Sequence, residues 1–106
     1  MSDDSQILIP ESFAALFMAP GAYKPRASRQ HIAARYELCE DMAQMLTEHA
    51  QLKRVELGVS EDIVLQRIHR GLREQASVVD VHEAGWVMRR LAELLGWPMP
   101  ALPDPA

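Results

Sequence analysis

Residues 28–57, SRQHIAARYELCEDMAQMLTEHAQLKRVEL, are thirty consecutive positions without a glycine or a proline. On a helical wheel, Ile32, Tyr36, Leu38, Cys39, Met42, Ala43, Met45, Leu46, Ala50 and Leu52 cover an arc of roughly 200°. A surface helix usually carries an apolar stripe of about 100°. Such a breadth predicts a helix packed from two sides: a central helix of a small bundle, a dimer, or both. Leu38, Met42, Met45 and Leu52 form the edge predicted to be the dimer contact. Ser28 is placed to cap the helix, and Gly58 to end it. The phase slips near Gln51, where Val55 falls on the polar arc and Arg54 on the apolar one. Continuous helix is therefore expected to about residue 51, with the segment to 57 open to a break.

Working outward, Pro10 at a first helical position and Phe13, Leu16 and Phe17 on one face predict a short helix over 10–18. Pro20, Gly21 and Pro25 make 19–27 a non-helical linker. Ser60, with Glu61 and Asp62 in the first turn, starts a third helix over 60–74. Asp80 followed three residues later by Glu83 is a capping box for a fourth, over 80–95, closed by Gly96. No stretch alternates with period two. The chain reads as all-α: a bundle of about four helices in a single domain over 10–97. Residues 1–9 form an N-terminal tail, and 98–106 an extended, Pro-rich C-terminal one.

The 106 residues are 48% hydrophobic and 25% charged, with a net charge of −4 and acids interspersed with bases. That gives no electrostatic footprint for nucleic acid or an anionic membrane. A single cysteine, Cys39, excludes an internal disulfide and a multi-thiolate zinc site. The N-terminus is acidic where a signal peptide would be basic, and no apolar run has membrane-spanning length. A cytoplasmic location is the expectation.

Trp86 projects from the polar face of the last helix, among His82, Arg89 and Arg90. Trp and Arg are enriched at binding hot spots, so His82, Trp86, Arg89 and Arg90 are the candidate partner contact. The competing reading has a terminal segment folding over the indole, or Arg stems packing on it. Arg67, Arg70 and Arg73 make a basic stripe able to meet phosphates, or one that complements the helix dipole from solvent. A helix-turn-helix reading of the last two helices is weakened by their long connection and by mid-helix bases. The four histidines form no close ligand pair, so no metal and no cofactor is expected. An enzymatic alternative, a small hydrolase or transferase, would use Cys39 or the Glu37, Glu40, Asp41 strip. No phosphate-binding loop is present, which argues against an autonomous nucleotide hydrolase.

The segments RYELCEDMAQMLTEH (35–49) and EAGWVMRRLAELLGWP (83–98), with IPESF (9–13), resemble a small family of uncharacterised proteobacterial proteins. Its members often carry the label "ATPase with chaperone activity". The resemblance implies that label and no catalytic residues. With the phosphate-binding loop missing, it implies a chain that assists an ATPase. The leading expectation is a non-enzymatic helical protein–protein interaction module, a chaperone-linked or regulatory adaptor, forming a homodimer; DNA binding ranks third.

Overall fold

The computed structural model describes residues 8–74 and 78–102. It is a small all-α bundle of four helices: α1 (Glu11–Ala14), α2 (Arg29–Leu57), α3 (Glu61–Glu74) and α4 (Val81–Leu95). Among the described residues there is no strand, and no helix is long and apolar enough to cross a membrane. Contacts divide the chain into two compact units, 1–38 and 39–106.

In the first unit α1 is shorter than the sequence suggests. Pro10 is its cap rather than its first helical residue, and the Pro10 carbonyl accepts from the N–H groups of Phe13 and Ala14. After one turn the chain tightens into a 3-10 turn over Ala15–Phe17, and Met18 is already extended. Phe13 is fully buried and meets Phe17 and Tyr36 at ring-centroid distances of 5.7 and 5.6 Å. The linker is held at Arg26, whose N–H donates to the Phe17 carbonyl and whose guanidinium donates to that of Leu16. Ser28 caps α2 as its sequence position predicts, its hydroxyl accepting from the His31 N–H at 3.1 Å.

The α2 helix runs unbroken to Leu57, through the point where its wheel loses phase. Gly58, with φ of +63°, ends it by donating to the Arg54 carbonyl. The second unit joins residues 39–57 of α2 to α3, α4 and the tail. Its core is Ala50 from α2, Val64, Leu65 and Ile68 from α3, and Met88, Leu91 and Ala92 from α4. Trp97 and Leu102 pack against that core, so the stretch after α4 returns to the bundle. The turn that sends it back is a Schellman motif at Gly96 (φ +71°). Its N–H donates to the Glu93 carbonyl, and the Trp97 N–H to that of Ala92.

Within one copy of the chain, α2 is covered along a narrow seam and not across its whole apolar arc. Cys39, Ala43 and Ala50 are fully buried, yet Met45, Leu52 and Val55 are 71%, 55% and 80% exposed. The most enclosed helix is α4, of whose fifteen residues only His82, Arg89 and Glu93 are exposed. The physical reason lies in side-chain size. The alanines and cysteine of α2 make a narrow buried seam, whereas its bulkier methionines and leucines stand at the edges. The capping box of α4 is complete: the Glu83 N–H donates to Asp80 at 2.8 Å, and the Asp80 N–H to Glu83 at 3.0 Å. Asp80→Ala is expected to cost about 1 kcal/mol, lowering the melting midpoint by roughly 4–8 °C. Thermal melting followed by circular dichroism checks this, and an unchanged midpoint would remove the box from the stabilising features.

Candidate functional site

The residues expected to form a partner patch do not share an exposed surface. Trp86 is only 6% exposed, so of the two readings of this residue the covered indole is the one that fits. Helical wheels place it on the polar arc of α4, but that arc is itself covered in part: Glu83 is buried and Arg90 half-buried. His82 and Arg89 remain exposed. Arg90 is spent internally. Its Nε and Nη2 donate to the two carboxylate oxygens of Glu40 at 2.9 and 3.1 Å, and its Nη1 to Glu93 at 2.8 Å. This fork joins α4 to α2 in the bidentate geometry that suits guanidinium and carboxylate.

The same pairing shifts the protonation of Glu40. Its carboxyl is held below the ordinary carboxylate range by the hydrogen bonds from Arg90. Burial works against them, while the Gln44 amide, donating at 2.8 Å, works with them. Arg90 is correspondingly raised, first by Glu40 and then by Glu93. Glu37 and Asp41, the other members of the acidic strip, are exposed. Cys39 is fully buried, so its thiol cannot reach a substrate without the helix opening. Among the described residues no three His, Cys, Asp or Glu side chains gather as a metal site. Residues 75–80 separate α3 from α4, with 75–77 outside the described residues, so the connection does not read as a tight helix-turn-helix turn.

Two concave regions among the described residues of the second unit involve the basic stripe. One groove of about 620 Å³ lies between α2 and α3. Leu46, Val64, Ile68 and Leu72 form its apolar floor, with Lys53 and Arg67 among its walls. The other, about 750 Å³, is lined by one face of α3 together with Val81 and the returning tail. The basic stripe is therefore divided: Arg67 belongs to the first, Arg70 and Arg73 to the second. His69, only 4% exposed, also lines the second cavity, and sequence reading missed it. Its pKa is lowered, first by burial and then by Arg73, so the imidazole there is neutral at pH 7. The signal was available in principle: His69 follows Ile68 at the edge of α3's apolar face.

Of the apolar edge assigned to α2, Leu38 in the first unit is 37% exposed. In the second unit Met42 is half-buried, while Met45 and Leu52 stand out in solvent. A comparison of the chain with family models, curated proteins and solved structures finds no significant match.

Two outcomes test this description. Trp86→Ala should cost about 3–5 kcal/mol in denaturant unfolding, as for a buried aromatic, against the ±0.5 kcal/mol or so of a surface site. Glu40→Gln should cost about 1 kcal/mol at neutral pH, a figure reduced for the partial exposure of both partners. Because the folded state favours ionised Glu40, its contribution is complete above the ordinary carboxylate range and is lost as pH falls through the lowered folded value. Unfolding curves of both proteins should thus converge on acidification; a gap that persisted at low pH would assign the loss to packing.

Proposed function

We propose that the chain is a non-enzymatic helical interaction module that self-associates through the outer face of α2. The observation that carries this is the exposure of Met45 (71%) and Leu52 (55%), large apolar side chains on the longest helix. They are seven residues apart, within about 20° on the wheel, and Leu38 precedes Met45 by the same interval. Met42 and His49 occupy the adjoining positions, so the face has the seven-residue spacing of a helix–helix seam.

The flanking charges favour a parallel pair. Asp41 and Glu48 line one side, and Lys53 the other. Parallel helices would set Glu48 of one copy against Lys53 of the next, five residues on, whereas an antiparallel pair would oppose the two acidic flanks. A single helix–helix seam is small beside the roughly 1,200–2,000 Å² of stable assemblies, so the association is weak and concentration-dependent.

The non-enzymatic part of the reading rests on the candidate groups themselves. Glu40 is held ionised by Arg90, and Cys39 is buried. The sequence has no phosphate-binding loop. In light of its resemblance to proteins labelled as ATPases with chaperone activity, the module serves as an adaptor that assists an ATPase without hydrolysing nucleotide itself. Sedimentation equilibrium on the wild type should show mass rising with concentration. The double variant Met45→Asp, Leu52→Asp should stay monomeric, with the melting midpoint unchanged. A wild type that is monomeric throughout, or a double variant that associates equally well, would overturn the seam; ATP turnover by the purified chain would overturn the non-enzymatic reading.

A further inference from the structure

A second concavity lies away from the α2 face, and it stands on different residues. The cavity of about 750 Å³ is walled on one side by His69, Arg70 and Arg73 of α3, and on the other by Val81 and Leu102. Its size is within the range of small-molecule sites, and its lining is divided between an apolar and a cationic part as those sites are. We propose that it binds a small organic anion, a carboxylate or phosphate ester carried on an apolar body.

Three features support that chemistry. Arg70 and Arg73 are exposed and make no ion pair among the described residues, so both guanidiniums can be engaged without breaking an existing bridge. His69 is buried beside them and lines the same cavity, so its ring borders any ligand seated there. Val81 and Leu102 supply apolar wall, and Leu102 is anchored because it also packs on the core. Opposing charge is present as well. Glu74 lines the same cavity, and the C-terminal end of α3 adds partial negative charge. Two guanidiniums outweigh the single carboxylate, so the wall is still net cationic. The apolar side makes an organic anion a better match than a bare inorganic one.

The test uses three probes on the full chain: naphthalene-2-sulfonate, its uncharged relative 2-naphthol, and inorganic sulfate. Calorimetry should show the sulfonate binding more tightly than either comparison compound. Amide shifts in nuclear magnetic resonance spectra should fall on residues 69–73, Val81 and Leu102. The double variant Arg70→Gln, Arg73→Gln should weaken sulfonate binding by about tenfold or more, the scale of losing charge-assisted hydrogen bonds. Arg67→Gln, on the same helix but lining the other groove, should leave it unchanged. The proposal is overturned if the sulfonate fails to bind, if 2-naphthol or sulfate binds as tightly, if the shifts fall in the α2–α3 groove, or if the double variant retains wild-type affinity. Both arginines are exposed, so their replacement leaves the core intact, and an unaltered melting curve verifies that.

Discussion

The enclosure of α4 is the constraint on which the rest depends. A helix exposing only three of fifteen residues has to satisfy its polar side chains within the protein. Glu83 does so in part through the capping box with Asp80. Arg90 does so through both oxygens of Glu40 and through Glu93. The fork to Glu40 fixes how residues 39–57 of α2 lie along α4, because bidentate geometry tolerates little sliding. Once that register is set, Ala43 and Ala50 of α2 turn inward, and Met45 and Leu52 are left outside.

The elements were legible in the sequence because their signals are local. Ser28, Gly58, the Asp80–Glu83 box and Gly96 each mark a helix end through a bond to a residue at most five positions away, and each bond is present. The exception is α1, where one turn was too short for periodicity to separate a helix from its 3-10 continuation. Which helix is enclosed was not legible. A wheel counts apolar positions without weighing their bulk or knowing what covers them. It ranked α2 above α4 because α2 has more apolar positions, several of them small. The choice between the two readings of Trp86 was not legible for the same reason: its neighbours on the wheel are polar, but Glu83 and Arg90 are polar residues with internal partners.

Candidate chemistry was less legible still, since it depends on residues far apart in sequence. The stripe Arg67, Arg70, Arg73 looks uniform along the chain, yet its members serve two different concavities. What separates them is the path of the segment after α4. The Schellman turn at Gly96 returns Trp97 to the bundle, where it lies 5.8 Å from the Arg54 guanidinium, and carries the chain on to Leu102. With Ala101 and Leu102 brought there, the segment after α4 shares a cavity with His69 and Arg73.

The titratable groups separate binding from catalysis on physical grounds. General acid–base work needs a group whose protonation changes near the working pH and which touches the reacting atoms. Glu40 is driven away from that condition by Arg90, and Cys39 fails on access. His69 meets the requirement of access to a cavity, but burial and Arg73 both favour its neutral form. A neutral imidazole beside two guanidiniums is a hydrogen-bonding group in a cationic wall rather than a poised acid. An anion seated there would favour the protonated ring and so counter those two effects. Ligand and proton uptake at His69 would then be linked.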